Sequence, residues 1–208
     1  MSRFFVIFIC VAVLVLSSSL AMDALAGEAM TQAKVTVDKV VELTKDKNLK
    51  KPGKARERRL AIRKVIDERF DFEEMSKRSL AVYWQQRSAQ ERREFISLFT
   101  DLLERSYMKK IEGYNDEKIV YLDEKIDGKY AVVKTKIVTK RNVEIPIDYR
   151  MMDKGGKWEV YDVSIEGVSL VNNYRAQFSK IIRTSSYQEL VRRMKSKQEE
   201  ELFQEKNK

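Results

Sequence analysis

The spacing of apolar residues changes at about residue 117 and changes back at about residue 167, and this limits the fold more than any other feature. Up to Gly113, apolar side chains recur every three or four positions, which is typical of helices. From Glu117 to Glu166 they alternate with polar ones, which is typical of strands, and after Gly167 the helical spacing returns. This order predicts an α+β protein in which helices cover an antiparallel sheet.

The central region predicts about four strands joined by short turns. The strands are expected at 119–124, 129–140, 143–152 and 157–166, with turns at 127–128, 141–142 and 155–156. Such short connections join antiparallel neighbours. In the last strand Trp158 and Val160 occupy even positions, whereas Tyr161 and Val163 occupy odd ones. Since successive residues of a strand point to opposite faces, this pattern predicts a bulge or burial on both faces.

Helices are predicted on both sides of these strands. They are expected at 28–47, 54–69, 70–84 and 88–113, and again from 170 and from 187. Asp71 is an N-cap candidate, and Ser88 with Glu91 forms a capping-box pattern. The second helix is expected to bury Leu60 and Ile62, while its other face is strongly basic.

Residues 1–26 have the pattern of a cleaved secretory signal peptide. Arg3 precedes an apolar run at 4–16, and the Ala-Leu-Ala triplet at 24–26 supplies small residues for cleavage. The expected products are one domain at 27–194 and a charged C-terminal tail at 195–208. The predicted location is the periplasm.

The residue types of the exported chain exclude several kinds of chemistry. The sequence has no histidine, and its single cysteine, Cys10, lies inside the signal peptide. Serine–histidine and cysteine–histidine nucleophiles are therefore absent, and so are the usual ligands of zinc, copper, haem and iron–sulfur clusters. No acidic loop has calcium-binding spacing. We expect no metal, no cofactor and no enzymatic activity.

The net charge of +9 indicates a surface that favours anions. For an exported chain, anionic lipid head groups or acidic proteins are the expected partners, and nucleic acid is not. An ordinary solvated surface is the alternative explanation of this charge.

Aromatic side chains recur on the predicted inner faces of the helices and the sheet. Aromatic residues at helical spacing usually fill a core. Periodicity alone leaves open whether the space that they enclose is filled or hollow.

Three stretches carry a resemblance to a known family. They are FDFEEMS at 70–76 with Leu80, Tyr83 and Trp84; FISLF at 95–99 with Leu102, Leu103 and Tyr107; and WEVYDVSIEGVSLVNNYRAQF at 158–178. The chain resembles the toluene-tolerance or MlaC family of periplasmic phospholipid carriers, over nearly all of its length up to Met194. Two features depart from the family pattern: Ala81 stands where glycine is expected, and the charged tail is unusually long.

The resemblance implies a curved sheet and covering helices that enclose an elongated apolar cavity for acyl chains. It implies a monomeric carrier with phospholipid as its ligand and transient membrane contact. The implied partners are an outer-membrane lipoprotein–porin complex and an inner-membrane ABC transporter whose MCE-domain ring exchanges lipid.

Inward strand parity and the resemblance together suggest residues that bind lipid, of which about half are expected to touch it. They are Phe70, Met75, Leu102, Tyr107, Val133, Ile145, Ile147, Tyr149, Val163, Ile165, Val168 and Tyr174. Arg175, Arg59 and Arg63 are candidates for head-group or partner contacts, with surface ion pairing as the alternative.

Two other functions fit the residues less well. In the first, the chain is a periplasmic chaperone or adaptor whose basic surface holds acidic proteins and whose aromatic residues are ordinary core. In the second, a carboxylate pair serves a small-molecule enzyme.

Overall fold

A computed structural model describes residues 27–114 and 116–196. Within these residues the helices are α1 (Glu28–Lys45), α2 (Ala55–Asp67), α3 (Phe72–Leu80), α4 (Ala89–Glu112), α5 (Leu170–Thr184) and α6 (Tyr187–Lys195), with a 3₁₀ turn at Ala81–Tyr83. The strands are β1 (Lys118–Asp127), β2 (Tyr130–Val138), β3 (Glu144–Asp153), β4 (Trp158–Ile165) and β5 (Val168–Ser169). The predicted signal peptide and residues 197–208 of the predicted tail lie outside the described residues.

The strands form one antiparallel sheet in the order β1-β2-β3-β4-β5, which confirms the α+β class. The sequence did not predict β5, whose two residues pair with the end of β4. Glu166 and Gly167, with φ of 50° and 80°, form the two-residue turn between them. The apolar residues after Gly167 have helical spacing, so the sequence pattern gave no indication of this short hairpin.

Bulges bend two of the strands and curve the sheet. Arg150 pairs with Asp162 and Met151 pairs with Val160, so Tyr161 is the extra residue in β4 and the predicted bulge is confirmed. In β1, Leu122 is extra in the same way, between Tyr121 and Asp123.

Local hydrogen bonds begin the helices where the sequence predicts. The Glu74 amide donates to the side chain of Asp71 at 2.9 Å, and Ser88 with Glu91 forms a complete capping box. At α1 the cap comes from the sheet instead, because the Met30 amide donates to the Glu124 carboxylate at 2.9 Å. The start of α1 is thereby tied to the edge strand.

Among the described residues, the interior contains two hydrophobic cores. In the helical core, from α3 to α6, Phe178 meets Phe95 and Phe99 edge-on with ring centroids 5.6 and 5.5 Å apart. In the sheet core, Ala29 and Ala33 of α1 pack on the inner face of β2, β3 and β4. Phe70, between α2 and α3, packs against both cores.

The second helix is more peripheral than the sequence predicts. It buries Ile62, but Leu60 is 57% exposed, so the expectation that Leu60 is buried was wrong. Two residues along a helix correspond to a rotation of about 200°, so Leu60 points away when Ile62 points inward. The gap from α2 to α4 is bridged by Arg58 and Arg63, which pair with Glu112 at 3.1 Å and with Glu104 at 2.5 Å.

Candidate functional site

An apolar cavity of about 570 Å³ lies where the two cores do not meet. Its walls come from α1, α2, α4, the sheet and the segment around Phe70. Small-molecule sites have about 300–1,000 Å³ and mainly hydrophobic walls. The cavity therefore has the size and the chemistry of a site for an apolar ligand.

The change of residue size along α1 creates one wall. Ala29 and Ala33 let the first half of the helix lie close against the sheet. In the second half, Val37, Val40 and Val41 line the cavity and remain partly exposed. The first half of α1 thus covers one end of the inner sheet face, and its second half borders the cavity at the other end.

The sheet forms the floor of the cavity through one face of four strands. The residues of this face that line the cavity are Ile119, Ile137, Ile145, Ile147, Tyr149, Val163 and Ile165. Thr135, Ile147 and Ile165 form one row across β2, β3 and β4. Branched aliphatic side chains give this floor a hydrocarbon surface with few polar atoms.

The long helix α4 contributes to both the helical core and the cavity. Its first half buries Phe95 and Phe99 in the helical core, while Tyr107, Met108 and Ile111 of its last turns line the cavity. The cavity reaches the surface at this end, where the exposed residues Lys110 and Gly113 are part of its lining.

Of the twelve residues suggested for lipid binding, eight line the cavity. They are Phe70, Met75, Tyr107, Ile145, Ile147, Tyr149, Val163 and Ile165. Leu102 and Tyr174 lie in the helical core instead, because α4 and α5 pack together there. Val133 belongs to the sheet core with Ala29 and Ala33, and Val168 is 57% exposed in the β4–β5 hairpin.

The three arginines suggested for head-group or partner contacts have different surroundings. Arg63 lines the cavity and pairs with Glu104. Arg59 pairs with Glu112 at 3.1 Å. The side chain of Arg175 donates to the carbonyl oxygen of Arg78 at 2.9 Å, which joins α5 to α3 outside the cavity lining.

Sequence reasoning missed the cavity wall formed by α1. The three-four spacing of Val37, Val40 and Val41 indicates an apolar helix face, but it does not indicate what that face covers. The usable signal was the change along one helix face from alanine to valine. Small residues permit close contact with the sheet, and larger ones hold the helix away from it.

Burial raises the pKa of the tyrosine hydroxyls of the cavity, so they stay neutral to a higher pH than free tyrosine does. It raises the pKa of Tyr149 to about 12. Burial also raises the pKa of Tyr107, and a hydrogen bond with Tyr174 adds to this. Removal from water likewise raises the pKa of Asp67 on α2, although Arg63 opposes this. The floor and the α4 wall therefore present hydrocarbon and neutral hydroxyls.

The described residues offer no acidic cluster that could hold a metal ion. Within the same residues, no helix has the length and apolar character needed to cross a bilayer.

Comparisons with known proteins agree with this architecture. A phospholipid-binding protein from Ralstonia solanacearum, solved in complex with a phospholipid, superposes with a TM-score of 0.75 at 22% identity. The match covers 85% of this chain and 99% of that protein. This similarity supports the fold, including a helix-covered curved sheet.

Two relatives are similar in sequence. The intermembrane phospholipid transport system binding protein MlaC of Haemophilus influenzae is 24% identical over 141 residues, which are 65% of this chain and 66% of the relative. The toluene tolerance protein ttg2D of Pseudomonas putida is 26% identical over 121 residues, 57% of this chain and 56% of the relative. The matches thus span slightly less than two thirds of the first relative and just over half of the second.

The family model described as MlaC protein matches residues 34–196, which include α2 to α6 and all five strands. Because this match covers most of the chain, the protein belongs to the MlaC family.

Proposed function

We propose that the chain is a non-enzymatic phospholipid carrier that holds acyl chains in the cavity between its two cores. The observation that carries this proposal is the cavity of about 570 Å³, with its hydrocarbon floor and its opening near Gly113. The similar Ralstonia protein was solved with a phospholipid bound, which supports the same class of ligand here.

The energetics of hydrocarbon in water explain why such a cavity is useful. Each methylene exposed to water costs about 0.8 kcal/mol, so an unshielded acyl chain of about fourteen carbons faces a barrier on the order of 10 kcal/mol. Apolar walls that replace the contacts of the bilayer lower this barrier. Recognition by shape and area should tolerate different head groups and tail lengths.

We assign the acyl-chain contacts to the eight suggested residues that line the cavity, together with Val37, Val40 and Val41 of α1. Arg63 is the head-group candidate that remains, since it lines the cavity. Arg59 and Arg175 are left as contacts within the fold.

The proposed place of action is the periplasm, reached through the signal peptide predicted at residues 1–26. The carrier domain would then span 27–194. The proposed partners are an inner-membrane MCE-domain ABC transporter complex and an outer-membrane lipoprotein–porin complex, with transient membrane contact and a monomeric carrier. The similarity to an intermembrane phospholipid transport system binding protein supports this assignment.

Lipid extraction from vesicles tests the proposal. Delipidated protein is mixed with vesicles of labelled phosphatidylethanolamine, and the label that stays with the protein after the vesicles are removed is measured. The unaltered chain should acquire label. The variant V41W/I147W, which fills the cavity from opposite walls, should acquire at least tenfold less.

The matched control is V132W, which places the same side chain at a partly exposed position of β2 outside the cavity lining. It should extract lipid as the unaltered chain does. A folded V41W/I147W variant that extracts as much lipid as the control would show that the cavity is not the binding site.

A further inference from the structure

Exposed cationic side chains occur on two separate segments that follow residues of the cavity lining. Lys47, Lys50 and Lys51 belong to the α1–α2 loop, and Lys140 and Arg141 belong to the β2–β3 turn. All five are exposed. We call these five residues the basic rim.

Charges from the two segments both act on Asp116. Lys45, at the end of α1, forms an ion pair with Asp116 at 2.9 Å. This hydrogen-bonded pair lowers the pKa of Asp116, and the nearby charges of Lys140 and Lys50 lower it further. The end of α1 and the segment after α4 therefore meet at Asp116, and the α1–α2 loop and the β2–β3 turn lie near enough for their charges to act there.

That place is the mouth of the cavity. Thr44, at the end of α1, lines the cavity, and so does Thr139, which directly precedes Lys140. Tyr114 lines it too, and Lys45 lies over the Tyr114 ring at 5.7 Å from the centroid. The basic rim is thus adjacent to the opening through which a ligand would pass.

Two carboxylates at this end of the fold are paired with cations that do not belong to the rim. Glu112 and Asp116 are already paired, with Arg58 and Arg59 and with Lys45. In the part of the chain that the structure describes, none of the five rim cations forms an ion pair. The loop itself is held in place, because Arg58 donates to the carbonyl oxygen of Leu49 at 3.4 Å. An ordered surface of unpaired cations remains, and it favours an anionic partner.

Exposed apolar residues lie at the same end of the sheet. Val143 follows the β2–β3 turn and is 54% exposed. Val168 lies in the β4–β5 hairpin, whose Glu166 amide donates to the Pro146 carbonyl oxygen at 2.9 Å. Cations combined with exposed apolar side chains suit the interface of an anionic bilayer, which offers charge and hydrocarbon together.

We propose that the basic rim docks on an anionic bilayer surface, with Val143 and Val168 entering the head-group region, so that the mouth of the cavity faces the lipid. Such docking would serve the proposed carrier function, and its biological purpose rests on that function. Docking and lipid uptake are nevertheless separate properties and can fail independently.

Vesicle flotation with the full exported chain tests the docking. The unaltered chain should float with vesicles of phosphatidylcholine and phosphatidylglycerol in equal parts, but not with phosphatidylcholine alone, and added salt should weaken the binding. The variant K47E/K51E/R141E should bind the anionic vesicles at least about tenfold more weakly, since each cation near such a surface contributes about fivefold in affinity.

The control K125E/K134E/K180E changes the net charge equally at exposed positions of β1, β2 and α5 outside the rim. It should retain most of the binding. A second variant, V143S/V168S, should bind several-fold more weakly without losing its salt dependence. Circular dichroism confirms that each variant is folded.

Equal weakening by the rim and control variants would overturn the proposal, because the attraction would then depend only on net charge. The proposal would also be overturned if the unaltered chain did not bind anionic vesicles. The rim would then be available to bind an acidic protein surface instead. Bound phospholipid measured on the same samples reports the carrier function separately. A chain that docks but never holds lipid would refute the carrier function while leaving the docking surface in place.

Discussion

Phe70 and Val160 are paired by their backbones in a parallel bridge, although Phe70 lies between two helices and Val160 lies in β4. The Asp71 amide donates to the Val160 carbonyl oxygen at 2.9 Å, and the Val160 amide donates to the Arg69 carbonyl oxygen at 2.8 Å. This bridge fixes the α2–α3 junction against the sheet. It holds the Phe70 ring at the boundary of the two cores, where the cavity begins.

The turn after α3 contains a strained residue whose replacement should stabilise the protein. Ala81 has φ 50° and ψ −121°, a backbone conformation that favours glycine. Ala81→Gly should raise the free energy of unfolding by about 1 kcal/mol, because relief of the strain exceeds the added entropy of the unfolded chain. Urea unfolding of both proteins measures the difference.

The same substitution at an unstrained helical position is the control for Ala81. Ala176, exposed within α5, is suitable, and Ala176→Gly should lower the free energy of unfolding by about 1 kcal/mol. Destabilisation by both substitutions would mean that Ala81 carries no strain.

Truncation should cost more in the helical core than at the cavity wall. Leu102 is fully buried, so Leu102→Ala should lower the free energy of unfolding by about 2–5 kcal/mol. Ile137 borders the cavity and is only partly buried, so Ile137→Ala in delipidated protein should cost less, about 1 kcal/mol. Equal losses in chemical unfolding would indicate that the space beside Ile137 is filled by protein.

Local sequence signals predicted the elements well. The caps at Asp71 and Ser88 were identified because a cap depends on residues three positions apart. The bulge at Tyr161 was visible as a change of parity within one strand. Such features need no knowledge of the distant chain.

The boundary between core and cavity depends on contacts between distant segments, and sequence parity does not report them. Val133 and Ile137 share one face of β2, yet Val133 lies in the sheet core with Ala29 and Ala33 while Ile137 lines the cavity. Parity assigns both to the inner face. Only the path of α1 across the sheet separates them.

Stability should fall at high pH because the cavity keeps a tyrosine neutral. The pKa of Tyr149 rises from its usual 10.0 to about 12 in the folded protein. The unfolded chain therefore loses this proton first, and the free energy of unfolding decreases as the pH rises from about 10 to about 12. In Tyr149→Phe this decrease should be smaller by the contribution of one proton, as measured by urea unfolding across the range. An unchanged pH dependence would mean that Tyr149 ionises normally.

The ion pairs between α2 and α4 should control how readily α2 opens. Glu112 is 8% exposed and binds both Arg58 and Arg59. Glu112→Gln should speed amide hydrogen exchange in α2 on the order of tenfold, since a hydrogen bond to a charged group contributes about 1.5–3 kcal/mol. Exchange in α5 should be unaffected. A uniform increase across both helices would indicate global destabilisation instead.

Native mass spectrometry of the protein purified from periplasmic extracts shows whether the cavity holds a phospholipid, because it weighs whatever is bound there. The unaltered chain should appear as a folded protein with added mass equal to a phospholipid, and V41W/I147W should lack that mass. A well-folded, unaltered chain that carries no lipid when purified and takes none from vesicles would contradict the proposed carrier function.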